Sequence, residues 1–259
     1  MHPIAQLLRE PGSRPNQGGP PLSIAEDPER LRYLGRMVAA VSHELNNRLT
    51  GVLGFTDLLA MNPEGDSQAR VLGKLRTYAE SVRGLVSSLS GFSRSQQEGP
   101  EVAPLAPAVR QAVDLANCVA RATGGMLTLD IPDAGLHGRI VGPEFRFALY
   151  VCLDWLLRQA NAAKPQCPVV DVRLEQGASG PLVVMSAPLV QAPGPEESWP
   201  SPLRLAERIF SAQHAECGWR CTPEGVWQFV VEPASEVQKD AEFAPVEVSH
   251  EPAFVIRTA

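Results

Sequence analysis

Asp27 to Met61 reads DPERLRYLGRMVAAVSHELNNRLTGVLGFTDLLAM, and its periodicity decides the fold of the first third of the chain. Asp27-Pro28-Glu29 is a helix start: a capping carboxylate, a proline at the first helical position and an acid in the first turn. Leu31, Leu34, Val38, Val41, Leu45, Val52, Phe55 and Leu59 then recur in steps of three, four and seven, a heptad seam with one gap at Arg48. Asn62-Pro63-Glu64-Gly65-Asp66 breaks the helix.

Ser67 is positioned to cap a second helix that runs to about Ser95, with the seam Val71, Leu75, Tyr78, Val82, Leu85, Leu89 and Phe92. The two helices make an antiparallel hairpin. One hairpin cannot bury both faces of such a seam, whereas two copies can, as a four-helix bundle, so a homodimer is expected. The competing arrangement is a monomer whose hairpin packs on its own C-terminal domain.

Around the hairpin, residues 1–26 read as a Pro- and Gly-rich arm, and Glu98 to Pro104 as a linker. Residues 104–233 read as α/β: helices over Pro107–Thr123, Pro143–Ala163 and Ser201–Gln213, and strands LTLDI (127–131), VVDVRLE (169–175), LVVMSA (182–187) and VWQFVVE (226–232). Pro188 to Pro202 reads as a loop. Residues 234–259 form an acidic tail whose FVIRT could add an edge strand. The domains are thus 1–26 (arm), 27–97 (hairpin), 104–233 (α/β) and 234–259 (tail).

Bulk composition narrows the function. A formal net charge of -6 disfavours nucleic acid and anionic membrane as partners. No apolar run approaches the roughly 20 residues that span a bilayer. The N-terminus lacks the apolar core of a signal peptide, so a cytoplasmic protein is expected. The five cysteines are an odd number, which argues against a disulfide framework. His214, Cys217 and Cys221 are close in sequence but not at a usual zinc spacing, and no metal site is expected.

With Val38, Leu45 and Val52 on the seam, His43 falls on the outer face of the first helix. Asn47 and Thr50 lie four and seven residues on, on the same face. Ala40, Gly51 and Gly54 surround them with small side chains, and Leu53 is apolar yet points outward. Two glycines inside a helix each cost about 0.5–1 kcal/mol relative to Ala. Such a flat, partly apolar patch around a histidine suits the docking of another protein. Neutral imidazole is a nucleophile near physiological pH. Glu44 is placed to hold the proton of the other ring nitrogen, and Asn47 to orient a water or a phosphoryl group. Arg36 and Asp57, on the same outer face, join Ala40, Arg48, Thr50, Leu53 and Gly54 as candidate partner contacts. The His-Glu-Leu-Asn-Asn run lacks the second histidine of a zinc-protease helix.

SHELNNRLTGVLGFTDLL (42–59) resembles the phosphoacceptor motif of the dimerisation domain of bacterial two-component histidine kinases, and the likeness extends over residues 30–95. That resemblance implies that His43 is phosphorylated, that Glu44 assists transfer as an acid/base, and that Asn47 matches the position used in hydrolysing a partner's phospho-aspartate. The family usually has Pro after that Asn. Arg48 stands there instead, which implies a straighter helix. An ATP-binding domain follows in the family, and VGPEFRFALYVCLDWLLRQANAA (141–163) resembles its magnesium-binding helix. In the place of the magnesium-binding Asn stands Arg158 or Gln159, or Asn161 if the register slips. Neither the Asp-x-Gly-x-Gly turn nor the glycine-rich lid is found, so the set of groups that binds nucleotide phosphates is missing.

The expected fold is therefore α plus α/β: an antiparallel hairpin forming a dimeric four-helix bundle, followed by a degenerate histidine-kinase-type ATPase sandwich. The resemblance is closest to dimeric histidine phosphotransferases, with receiver domains of response regulators as partners, no cofactor bound by this chain, and Mg²⁺ held by the partner receiver. A diverged autokinase and a non-catalytic pseudokinase adaptor are the competing functions.

Overall fold

The structure, a computed structural model, describes residues 27–61, 65–90, 101–132, 135–163, 166, 168–190, 194, 198–222 and 226–234. The expected arm, the acidic tail with its FVIRT strand, and the end of the second helix near Ser95 lie outside the described residues.

Helix α1 (Pro28–Ala60) starts as its sequence dictates: Asp27 Oδ1 accepts a hydrogen bond from the backbone N–H of Glu29 at 2.8 Å, and Pro28 opens the helix. Helix α2 (Asp66–Ser90) runs back along it, starting after Gly65, whose φ of 58° is left-handed. Ser67 therefore lies inside the first turn of α2 rather than capping it.

The remainder is strand β1 (Glu101–Pro104), helix α3 (Leu105–Thr123), strands β2 (Met126–Asp130) and β3 (His137–Ile140), helix α4 (Gly142–Ala163), strands β4 (Val169–Gln176) and β5 (Pro181–Ser186), helix α5 (Ser201–Ser211), and strands β6 (Glu216–Cys221) and β7 (Trp227–Glu232). Five strands form one sheet in the order β2-β4-β5-β7-β6. The β2-β4 pair is parallel and the others antiparallel. β1 and β3 form a separate antiparallel pair. β1 falls partly in the stretch expected to be linker, and β3 and β6 were not expected as strands.

α3, α4 and α5 lie on one face of the five-stranded sheet. Val170, Val172 and Leu174 of β4, Val183 and Met185 of β5, and Phe229 and Val231 of β7 alternate toward them, as period-two strands must. α4 is buried almost all round, from Phe145 to Ala160, and is the centre of the core. α3 ends at Gly124, where a φ of 71° lets the backbone N–H turn back to the Ala120 and Arg121 carbonyls. No described helix is long and apolar enough to cross a membrane.

The first half of α1 departs from the expected seam. Tyr33 and Met37, both 2% exposed, and Val41 belong to the core of the α/β domain, while the seam residues Leu31 and Val38 stay 58% and 50% exposed. The reason lies in the sequence of α1. Tyr33 and Met37, four apart, make a second apolar stripe that runs into the seam at Val41, and the α/β domain of the same chain covers all three. Seam residues further along, Leu45, Val52, Phe55 and Leu59, are half-buried.

Ion pairs fasten this half of α1 along its length: Asp27 to Arg208 of α5, Arg30 to Glu144 of α4, Arg36 to Asp154 of α4, and Glu44 to Arg121 of α3. The Arg30 guanidinium also lies 4.9 Å from the centre of the Phe147 ring. The hairpin is thus joined to its own α/β domain.

Candidate functional site

α1 presents His43 to solvent, one turn before Asn47. The Asn47 amide lies against the imidazole, with Nδ2 3.2 Å from Nδ1. The contact is local: residues four apart on a helix stack on one face. Thr50, on the same face, spends its hydroxyl on the Asn46 carbonyl at 2.9 Å. Leu53 is 65% exposed, Gly54 and Asp57 are exposed, and Ala40 is partly covered by the core.

Glu44 is the first correction. It was expected to hold a ring nitrogen's proton, but its side chain turns inward and is only 6% exposed. Oε1 accepts from Arg48 Nε at 2.7 Å and from Arg121 at 2.9 Å. Neighbouring residues on a helix point about 100° apart, so a carboxylate gripped by α3 cannot also face His43. Arg48, expected to face a partner, is the second correction, since it belongs to this buried pair.

Around the pair α3 contributes Asp114 and Cys118. Burial raises the Asp114 carboxyl, opposed by the charges of Arg48 and Arg110. Burial also pushes the Cys118 thiol up to about 11, and the Glu44 charge adds to that.

Arg36 is the third correction. It was expected on the outer face with Asp57, but its guanidinium reaches Asp154, 2.5 Å away on α4, and passes over the Tyr33 ring on the way. Asp154 is fully buried. Burial raises its carboxyl, and the hydrogen bond and charge of Arg36 oppose that rise. Arg158, one of the residues expected in the place of the magnesium-binding Asn, also donates to Asp154, at 3.1 and 3.4 Å. Among the described residues His214, Cys217 and Cys221 form no metal-type cluster.

Sequence reasoning missed Asp154, Arg121 and Glu144. One signal was present: Asp154 is the lone acid inside the apolar run ALYVCLDWLL, and such a residue needs a partner.

Residues 33–98 match the His Kinase A (phospho-acceptor) domain family. The chain is 29% identical over 111 residues to the C4-dicarboxylate transport sensor protein DctB of Pseudomonas aeruginosa, covering 41% of this chain and 18% of that protein. It is 29% identical over 116 residues to the sensor kinase CckA of Brucella abortus, covering 44% and 12%. The chain thus spans less than a fifth of the length of these two relatives. Among solved structures it is similar to the histidine kinase AdeS of Acinetobacter baumannii, with 12% identity, a TM-score of 0.44, and 75% of this chain and 98% of that chain covered.

Proposed function

We propose that this chain, a member of the two-component histidine kinase family through the phosphoacceptor domain of its residues 33–98, is a histidine phosphotransferase that passes a phosphoryl group between receiver-domain aspartates. The observation that carries this reading is an exposed His43, backed by Asn47, on a helix whose sequence matches a phosphoacceptor domain. A docked receiver presents its phospho-aspartate to His43. The ring Nε2 attacks phosphorus, the N–P bond forms as the P–O bond to the aspartate breaks, and the donor leaves as a carboxylate. The reverse step delivers the group to a second receiver. The receiver supplies Mg²⁺. Exposed Leu53 and Gly54 beside Asp57 make a partly apolar landing surface for it.

Support for a route without ATP comes from α4. Arg158 is a cation with no acceptor atom, and its guanidinium is turned onto Asp154, so it offers nothing to a magnesium ion. The relatives favour the competing autokinase reading, since CckA is a sensor kinase. The half-exposed seam residues Leu31 and Val38 support a homodimer built on the hairpin.

The test is phosphate transfer to the purified protein, from γ-labelled ATP alone and separately from a phosphorylated receiver domain. Acid-labile label from the receiver only, lost in His43→Gln, is the expected result. Label from ATP alone makes the chain an autokinase. No label from either source makes it an adaptor.

A further inference from the structure

We propose that Arg121, in the last turn of α3, is a phosphoryl-binding residue: once His43 carries its phosphoryl group, the Arg121 guanidinium passes from the Glu44 carboxylate to the phosphoryl oxygens. The inference rests on the reading of His43 as the acceptor and gives the α/β domain a part in holding the transferred group.

The argument starts from a surplus of charge. Glu44 bears one negative charge, yet two guanidiniums donate to the same oxygen, Oε1: Arg48 Nε at 2.7 Å and Arg121 Nη1 at 2.9 Å. One is enough to neutralise it. Arg48 stands four residues on in α1 and its side chain is only 18% exposed, so it needs the carboxylate. Arg121 reaches in from the other domain, with a side chain 64% exposed, and water can solvate it when it leaves. The other acid of this pocket, Asp114, has the charges of Arg48 and Arg110 beside it. Two acids thus face three arginines, and Arg121 is the arginine that can be spared.

The spare cation lies next to the acceptor. Glu44 follows His43 directly, with Cα atoms about 3.8 Å apart. The Asn47 amide sits at Nδ1 of the ring, which leaves Nε2 turned away from it. A phosphoryl group on Nε2 brings a charge of about −1.5 to −2 and three acceptor oxygens. Arg121 gives Glu44 a single N–H bond, from Nη1, whereas its planar fork can donate to two phosphoryl oxygens at once. Its flexible stem carries the guanidinium from one group to its neighbour without moving α3. The exchange strands no charge, because Glu44 keeps Arg48.

In a loose phosphoryl transfer the phosphoryl oxygens supply the electron density that expels the leaving group. A guanidinium on those oxygens holds that density back. The group then stays on His43 until a receiver, with its own Mg²⁺, takes the oxygens over. No nucleotide is needed for this role.

The experiment is ³¹P NMR of the full-length protein after phosphorylation by phosphoramidate, a small donor that needs no partner. Phosphoramidate is an anion, so His43 is expected to label ahead of the exposed His137 and His214. The phosphoryl signal is then followed against pH. A cation at the oxygens favours the dianion and lowers the midpoint. Arg121→Gln, at an exposed position that does not threaten the fold, is expected to raise the midpoint by about one pH unit, a tenfold change in proton affinity. Arg121→Lys should restore part of the difference. Arg48→Gln is expected to act like Arg121→Gln, because Glu44 then claims Arg121 for itself. Glu44→Gln, which frees both arginines, should leave the midpoint where it is or lower it. A midpoint that ignores Arg121→Gln overturns the proposal, as does an Arg48→Gln protein that titrates like the unsubstituted one. A His43 that labels no faster than His137 and His214 also overturns it. If the midpoint follows Arg121 while no phosphorylated receiver labels His43, the Arg121 assignment stands and the phosphotransferase reading falls.

Discussion

Arg36 and Asp154 lie 118 residues apart in the chain and meet at 2.5 Å, joining α1 to α4, the most buried helix of the α/β domain. The pair converts the first half of α1 from a free bundle helix into part of the neighbouring core, beside Tyr33 and Met37. His43 thus projects from a helix held on one side by packing and ion pairs, and such support is what the proposed transfer site needs to hold its geometry.

Breaking that pair from the α1 side leaves Asp154 buried with Arg158 as its remaining ion-pair partner. Arg36→Ala is expected to destabilise the protein by about 3 kcal/mol at neutral pH, the low end for an uncompensated buried charge because Arg158 stays. The sign of the pH dependence follows from the raised Asp154 carboxyl. Between its unfolded pKa and its higher folded pKa, the native state holds a proton that the unfolded chain has lost, so stability falls as pH rises through that window. Removing Arg36 takes away the charge that opposes the rise, and the window extends upward. The deficit of the variant should therefore be largest near neutrality and shrink as the carboxyl is protonated. Urea unfolding of both proteins across acidic to neutral pH measures it, and a deficit that grows on acidification would rule out Asp154 as the cause.

The two glycines near His43 are not equivalent. A Cβ added at Gly51 would overlap the Tyr78 ring, 2.7 Å from its Cδ1, whereas one added at Gly54 meets nothing within 4 Å. Gly51→Ala must push Tyr78 off its edge-on contact with Phe55, whose ring centre is 5.5 Å away, and loosen the hairpin. The gain in helix propensity, about 1 kcal/mol, offsets only part of an overpacking cost of about 1–3 kcal/mol. Gly54→Ala keeps that gain and should raise stability by about 0.5–1 kcal/mol. Thermal unfolding of the two variants should move in opposite directions. A shift of the same sign in both would mean that Tyr78 swings aside freely.

Much of this fold could be read ahead because its signals are local. The Asp27 cap, the α1 heptads and the alternation of β4, β5 and β7 each occupy one continuous segment. β1, β3 and β6 are different. They carry Pro104, Gly138 and Gly218 and are four to six residues long, and β1 and β3 are defined by each other across the intervening α3 and β2, as in Ala103 on Gly138. The site divides along the same line. His43 and Asn47 are four apart, and their contact follows from helix geometry. Glu44 and Arg48 are also four apart, and the spacing allows that pairing as readily as one between Glu44 and the adjacent His43. Arg121 and Asp154 had no local signal toward α1, because a tertiary ion pair leaves no period in the sequence.

Thiol reactivity reports on the Glu44 pocket. Burial holds the Cys118 thiol at about 11, and the Glu44 charge contributes to the rise, whereas Cys221 is exposed. Iodoacetamide at pH 8 is expected to modify Cys221 in the native protein and to spare Cys118 and Cys152 until unfolding. In Glu44→Gln the loss of the negative charge lowers the Cys118 thiol, so its labelling should quicken relative to that of Cys152. Mass spectrometry of the digested protein resolves the three sites. Rapid native labelling of Cys118 in the unsubstituted protein would show that α1 separates from α3 in solution.

The last prediction separates the two apolar stripes of α1. Met37 faces the α/β domain and is 2% exposed, while Val38, the next residue, is half exposed and lies on the heptad seam with Leu31 and Leu45. If a second copy covers the seam, Val38→Asp buries a charge only in the dimer, so sedimentation should show monomers with little loss of intrachain stability. Met37→Ala opens a cavity under α1 instead. It should destabilise the chain by about 2–4 kcal/mol while a folded protein still dimerises. A Val38→Asp protein that remains dimeric would place the subunit contact elsewhere on the hairpin, with α2, where Leu72 and Val86 are also half exposed, as the next surface to substitute.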